Sequence, residues 1–152
     1  MAKTEEYRTK LKALGYLDFE VLREDWGFYE IEDGSLLRVK LVLVNVFKKG
    51  EREYTFSWNN VIGVVSPPQL RGPPDTTKYK PDELLRSIVE EDLDFKILKE
   101  GLSEYLLEDN TRLIFRPILV EVSRTNKYDS GGMPIYLTNV QPVIKAKPKR
   151  KT

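Results

Sequence analysis

A stretch of 32 residues recurs 76 positions further along the chain, and this repetition constrains the fold more than any other feature of the sequence. Residues 17–48 align with residues 93–124 without a gap, and twelve positions are identical, Tyr29 and Tyr105 among them. Average composition predicts about two identities over this length by chance. The sequence therefore predicts two diverged copies of one β-rich unit.

The repeat continues after an insertion of three residues near Tyr128–Gly132, where Asn60 falls on Asn139 and Val64 on Val143. Between the copies lies a segment whose prolines predict an extended, semi-rigid connector. The sequence therefore predicts four segments of the chain: a first repeat (1–65), a proline-rich linker (66–80), a second repeat (81–145) and a basic, disordered tail (146–152).

Each copy has the pattern of a short helix followed by about five antiparallel strands. Apolar spacing predicts the helices over Thr4–Leu14 and Pro81–Glu90. Asp33-Gly34 and Asp109-Asn110 are residue pairs that accept positive φ, so they predict tight turns. The strands expected in order are 17–23, 28–32, 36–47, 54–58 and 60–65 in the first copy, and 93–99, 104–108, 112–124, 135–137 and 139–144 in the second.

The long apolar strand has one irregularity in each copy. Pro117 cannot donate a ladder hydrogen bond, so we expect a bulge or an edge position there. In the first copy the alternation of apolar side chains changes parity, which predicts that the strand changes its buried face near Leu41.

The fold class expected is mainly β (α+β), barrel- or sandwich-like, with the two repeats packed about a pseudo-two-fold axis. A unit of this size has difficulty supplying its own core. We therefore expect one core shared by the halves, built from two pairs of matched positions: Leu43 with Leu119, and Val44 with Val120.

Composition narrows the possible chemistry. The chain has no cysteine and no histidine, which removes thiolate and imidazole catalysis and the zinc sites built on these residues. We expect no cofactor and no metal. The start of the sequence is polar and its longest apolar run is short, so a cytoplasmic protein without a membrane partner is expected.

Acidic residues recur at matched positions of the two copies. They are Asp18 and Asp94, Glu32 and Glu108, and Asp33 and Asp109. Paired carboxylates can perform general acid–base chemistry, which leaves a metal-assisted enzyme as a minor hypothesis. Turn conformation explains the aspartates that follow Glu32 and Glu108 more simply.

Aromatic and basic residues supply a second hypothesis, association with nucleic acid. Tyr29, Tyr105 and Trp58 could form an aromatic contact surface for bases, with Trp26, Tyr54 and Tyr136 as further candidates; cross-strand packing explains these aromatic residues more simply. The C-terminal cations could contact phosphate, or could simply be solvated. They are Lys145, Lys147, Lys149, Arg150 and Lys151.

The leading functional hypothesis is a non-enzymatic binding or scaffold module. It follows from the missing histidine and cysteine and from the turn explanation of the matched aspartates. Its expected partners are a protein or a second copy of the chain, recruited through unpaired sheet edges. Weak binding of nucleic acid through the basic tail is the alternative.

Overall fold

The computed structural model describes residues 3–148, and in this range the chain is mostly β, with two antiparallel sheets that do not close into a barrel. The first sheet consists of β1 (Tyr16–Leu17), β3 (Gly27–Ile31), β4 (Leu36–Gly50), β5 (Glu53–Val65) and β7 (Phe95–Lys99). The second consists of β2 (Phe19–Asp25), β6 (Ile88–Glu90), β8 (Leu102–Leu107), β9 (Arg112–Tyr128) and β10 (Pro134–Lys147). The helices are α1 (Lys3–Ala13) and α2 (Pro81–Leu85).

A long hairpin forms the body of each sheet. In the first sheet β5 pairs with β4 along nearly its whole length, while β1 and β3 pair with successive parts of the other edge of β4. In the second sheet β10 pairs with β9, and β8 and β6 pair with successive parts of the other edge of β9. Strand β7 completes the first sheet beside β3, and β2 completes the second beside β8.

Two segments pass from one sheet to the other and pair with each other as they do so. Strands β2 and β3 follow one another through a bend, and so do β7 and β8; Phe19 pairs with Leu107 at one end and Ile31 with Phe95 at the other. At the bend, a Cβ on Gly101 would lie 3.0 Å from the backbone nitrogen of Gly27. The close approach of the two backbones explains why glycine stands at this crossing.

The core lies between the sheets and has two clusters, each with residues from both parts of the chain. The first cluster contains Tyr29, Ile31, Leu37, Val39, Leu93, Leu119 and Val122. The second contains Leu41, Leu43, Val46, Tyr105, Leu107, Leu113 and Phe115. Neither cluster can therefore form from residues 3–65 alone or from residues 81–148 alone.

The expected core is right at one pair of positions and wrong at the other. Leu43 and Leu119 are buried, but Val44 and Val120 are 43% and 50% exposed. The ladders skip both valines, because the pairing register shifts between Leu43 and Asn45 on β4 and at the matching point of β9. Such a bulge reverses which side chains of the strand point into the core. The buried face of β4 therefore changes at Val44, and the prediction of a change near Leu41 was early by three residues.

Two further predictions concern the second part of the chain. Pro117 lies opposite Pro142 on β10, and on the other edge of β9 it falls between the segments that pair with β8 and β6, which confirms a local edge position. The helix predicted over Pro81–Glu90 is wrong beyond Leu85. Ile88 pairs with Thr125 of β9, and Val89 is β-branched like Ile88, so this segment continues as β6.

The segment between the halves packs against the β9–β10 hairpin. It contains one 3₁₀ turn, Pro68–Leu70. The Gly72 amide donates to the Gly132 carbonyl at 2.9 Å, and the Asp75 amide donates to the Asp129 carbonyl at the same distance.

At the other end, the pairing of β10 with β9 includes Ala146 and Lys147, which were predicted to belong to a disordered tail. Lys149, Arg150 and Lys151 lie outside the described residues. No helix within residues 3–148 has the length and apolar character needed to cross a membrane.

Candidate functional site

Four of the recurring carboxylates line two open clefts at opposite ends of the paired crossing segments: Glu32 and Asp94 line the first, and Asp18 and Glu108 line the second. The Glu32 amide donates to the Asp94 carbonyl at 2.8 Å, and the Glu108 amide donates to the Asp18 carbonyl at 2.9 Å. The first cleft, of about 310 Å³, is lined by Glu30, Ile31, Glu32, Gly34, Asp94, Phe95 and Lys96. The second, of about 250 Å³, is lined by Arg8, Asp18, Phe19, Glu20, Leu106, Leu107, Glu108 and Asn110.

The second cleft differs from the first because helix α1 places a guanidinium in it. Arg8 Nε donates to Asp18 Oδ2 at 2.5 Å, and the Phe19 amide donates to Asp18 Oδ1 at 2.9 Å. Both oxygens of this carboxylate are thus engaged in holding the helix and the start of β2. Within residues 3–148 no group of three or more acidic side chains is arranged to hold a metal ion.

Asp33 belongs to a polar cluster that ties the β3–β4 turn to the second sheet. Its Oδ2 accepts hydrogen bonds from the Tyr136 hydroxyl at 2.6 Å and from Arg124 Nη1 at 2.9 Å. Ser35 Oγ lies 2.8 Å from both the Ser66 hydroxyl and the Tyr136 hydroxyl. Burial alone would raise the pKa of Asp33, but the bonds from Tyr136, Ser35 and Arg124 outweigh it and lower that pKa.

Asp109 occupies the equivalent turn, between β8 and β9, and ties it to the first sheet. Its Oδ2 accepts from the Tyr54 hydroxyl at 2.5 Å and from Lys48 Nζ at 3.1 Å, while its Oδ1 accepts from the Thr111 amide at 3.0 Å. Burial acts to raise the pKa of Asp109, and the hydrogen bonds from Tyr54, Thr111 and Lys48 overcome it and lower the pKa to about 2. Both turn aspartates are therefore explained by the fold.

Replacing Asp109 is expected to change the acid dependence of stability. A carboxylate whose pKa is about 2 when folded and about 3.9 when unfolded stabilises the protein above pH 4, and this stabilisation is lost as the pH falls towards 2. We expect Asp109→Asn to lower the free energy of unfolding by about 2 kcal/mol at pH 7 and by much less at pH 2. Urea denaturation at the two pH values measures both differences. Glu20→Gln, at an exposed position of β2, is the control, and an equal loss at both pH values would contradict the assignment.

The structure places the predicted aromatic contact residues in or against the core. Tyr29 and Tyr105 are 3% and 0% exposed, so they cannot stack on bases, and cross-strand packing is the correct interpretation of them. Burial and a hydrogen bond to Glu24 raise the pKa of Tyr105 to about 12. Trp58 is half-buried, with its ring centroid 6.2 Å from that of Phe115.

Trp26, one of the further candidates, lies with Phe28 on the outer surface of the first sheet. Arg38 lies 5.2 Å from the ring centroid of Trp26 and 5.5 Å from that of Phe28. Lys40 lies 5.1 Å from the Trp26 centroid, and Lys99 lies 5.6 Å from the Phe28 centroid. We call these five residues the cationic–aromatic face.

An apolar groove of about 490 Å³ adjoins the cationic–aromatic face. It is lined by Phe28, Tyr29, Leu36, Leu37, Arg38, Gly63, Val64, Val65 and Leu98. Leu36, Val65 and Leu98 are more than half exposed. Glu30, which pairs with Leu36, is a carboxylate at the margin of this surface. Cations on aromatic rings beside an apolar groove can contact phosphates, planar rings or carboxylates.

Two of the predicted phosphate contacts lie on the outer surface of the second sheet. Lys145 pairs with Ile114 and Lys147 with Arg112, and a cleft of about 300 Å³ is lined by Ile114, Arg116, Val143 and Lys145. Arg112 donates to Glu104 Oε2 through two nitrogens, with the Nε bond at 3.1 Å. We call Arg116, Lys145 and Lys147 the basic strip.

Part of these two surfaces could be predicted from the sequence. Trp26 aligns with Leu102, which is not aromatic, and this difference between the two aligned segments was the available signal for the cationic–aromatic face. Arg38 and Lys40 alternate with buried Val39 on β4, so their outward position follows from the strand period. The placement of Lys99 beside Phe28 depends on the pairing of β7 with β3, which local sequence does not specify.

Comparison of the chain with protein-family models, with curated proteins and with solved structures gave no significant match. A function for this chain therefore has to be inferred from the surfaces and contacts described above.

Proposed function

We propose that the protein arose by internal duplication and that its two halves fold as one unit about a pseudo-two-fold axis. The matched hydrogen bonds of the two clefts, the matched turn aspartates and the matched bulges at Val44 and Val120 support this proposal. The two core clusters support it too, because a shift of 76 positions carries most of one onto the other.

The strand register favours a revised alignment of the last strand of each copy. Lys48 pairs with Tyr54, and its aligned residue Arg124 pairs with Tyr136, 82 positions after Tyr54. The same offset brings Val61-Ile62 onto Val143-Ile144, so two identical neighbouring residues support it. The insertion in the second copy is then six residues long, where three were predicted.

The proposed function is that of a non-enzymatic binding module for single-stranded nucleic acid, with the cationic–aromatic face as its contact surface. The observation that carries this proposal is the position of three cations within 5.6 Å of the centroids of two half-buried rings on one sheet surface. Bases stack on aromatic rings whatever their sequence, and neighbouring cations neutralise the phosphates.

The net charge of +1 is compatible with this proposal because the charges are unevenly distributed. Carboxylates line the two clefts and occupy the turns, whereas the outer surface of the first sheet carries Arg38, Lys40 and Lys99 beside one another. Phosphates therefore meet a local excess of cations within the screening length of about 8 Å that holds at physiological salt.

Binding of a fluorescent 20-nucleotide oligo(dT), followed by anisotropy at low salt, tests the proposal. Trp26→Ala is expected to weaken binding by about 5- to 150-fold, because stacking of one base contributes about 1–3 kcal/mol. Arg38→Glu/Lys40→Glu is expected to weaken binding further and to reduce the dependence of affinity on salt, by about 0.7 in logarithmic slope for each phosphate that is no longer neutralised.

Matched variants separate a specific effect from a general one. Lys12→Glu/Lys49→Glu makes the same change of charge at exposed positions away from the face and is expected to retain most of the binding. With Trp58→Phe the remaining tryptophan, Trp26, should be quenched by the oligonucleotide, and with Trp26→Phe the remaining Trp58 should not. Equal weakening by both double charge reversals, or no binding at low salt, would rule out the proposed surface.

Self-association through a sheet edge is the second candidate. In the described part of the chain, β5 pairs only with β4 and β10 only with β9, so each presents a long free edge. Such edges can accept a strand from another chain. Analytical ultracentrifugation at micromolar concentration tests this candidate, and a monomer over the whole concentration range would contradict it.

A further inference from the structure

We infer that the protein joins two nucleic-acid segments, one on each side of the sandwich. The inference rests on the proposed function, because it adds a second contact to the cationic–aromatic face. The occupant assigned to the second contact is the phosphate backbone of another nucleic-acid strand.

The geometry follows from the two-layer arrangement. The inner surfaces of the sheets meet in the core, where Tyr29 and Leu37 of the first sheet pack with Leu119 and Val122 of the second. The outer surfaces consequently point in opposite directions. The cationic–aromatic face and the basic strip are separated by both sheets, which pack about 10 Å apart in a sandwich of this kind, so a strand bound to one leaves the other open.

The chemistry of the basic strip suits phosphate. Lys145 and Arg116 line the same cleft as apolar Ile114 and Val143, and the pairing of Lys147 with Arg112 continues the line of cations along β9 and β10. Lys145, Lys147 and Arg116 are exposed. Cations in a line can follow a sugar–phosphate backbone.

The cationic–aromatic face has an aromatic ring on which a base can stack, and the matching position of the basic strip does not. On the first sheet, Phe28 of β3 stands opposite Arg38 of β4. On the second sheet, Glu104 of β8 stands opposite Ile114 of β9 and holds Arg112. Glu104 provides no ring on which a base could stack, so the basic strip contacts the backbone alone. The second contact is therefore expected to be weaker and more sensitive to salt than the first.

A capture assay with the full chain tests the inference. Biotinylated oligo(dT)20 is immobilised, protein is bound and washed, and a second, fluorescent oligo(dT)20 is added. The wild type is expected to retain the second oligonucleotide. Arg116→Glu/Lys145→Glu is expected to reduce this retention at least about tenfold, since two cations that would bind phosphate become anions that repel it. Quenching of Trp26 by a single oligonucleotide, measured with Trp58→Phe, is expected to change less than about twofold.

The possible results separate the two proposals. If one oligonucleotide binds and the second is never retained, the inference is overturned while the proposed function stands. If no oligonucleotide binds, both are overturned. Retention that persists in Arg116→Glu/Lys145→Glu overturns the inference, because self-association then provides the second site. Retention of a labelled polyglutamate peptide in place of the second oligonucleotide also overturns it, because it assigns the strip to acidic protein segments. Circular dichroism confirms that each variant is folded.

Discussion

Expressed as separate fragments, residues 1–72 and residues 73–152 are each expected to be unfolded, and an equimolar mixture is expected to fold. The reason is that each core cluster takes residues from both fragments. Strand β7 of the second fragment completes the first sheet, and β2 of the first fragment completes the second sheet. Far-ultraviolet circular dichroism of the fragments, alone and mixed, measures the effect.

The mixture is further expected to sediment as a 1:1 complex. A full chain cut by a protease at a site introduced after Thr77 serves as the control, because both pieces are then present from the start and should stay together. A fragment that unfolds cooperatively on its own would contradict the proposal that the halves fold as one unit.

The second large effect is expected at Phe115, which lies in the most aromatic part of the core. Its ring centroid is 6.0 Å from those of Phe56 and Tyr105 and 6.2 Å from that of Trp58, and its side chain is fully buried. Phe115→Ala is expected to lower the free energy of unfolding by about 3–5 kcal/mol, because less apolar surface is buried and a cavity is left behind. Guanidinium denaturation measures the change.

Ile118→Ala is the matched control for Phe115→Ala. Ile118 is on the same strand and is 48% exposed on the outer surface. We expect its replacement to cost less than about 1 kcal/mol, because surface substitutions rarely cost more. Similar losses for the two variants would mean that the inner and outer surfaces of β9 have been assigned wrongly.

Much of the local structure follows from the sequence. The turn residues Asp33-Gly34 and Asp109-Asn110 form hairpins with positive φ at Gly34 and Asn110, as their residue types predict. Apolar runs predicted the long strands, and Leu43 and Leu119 are buried as expected. These features depend on a few neighbouring residues, so local propensity and strand period determine them.

The pairing between distant segments could not be predicted from local propensity and strand period. Nothing local indicates that β2 pairs with β8 while β7 pairs with β3, because each strand alone would fit a hairpin with its neighbour in the chain. The expectation that Val44 is buried was wrong for a related reason. The apolar pattern indicates that β4 changes its buried face, but it does not fix the residue at which the bulge lies, because the residues from Leu41 to Val44 are all apolar.

The candidate surfaces, too, could be predicted only in part from the local sequence. The sequence offers Tyr29 and Tyr105 as a contact surface for bases but favours cross-strand packing for them, and their burial agrees with the packing. Trp26 and Lys145 were found from the sequence, but their neighbours Lys99 and Arg116 come from the ladders beside them.

The crossing of β2–β3 with β7–β8 bears on how such a chain could originate. Under the duplication proposal, a single ancestral unit would have had no partner for its exchanged strand except in another identical molecule. On that proposal the ancestor would have been an obligate homodimer, and gene fusion would have turned a concentration-dependent assembly into one whose partner is always present. Fusion would also have left the two formerly identical surfaces free to diverge, one towards Trp26 and the other towards Lys145.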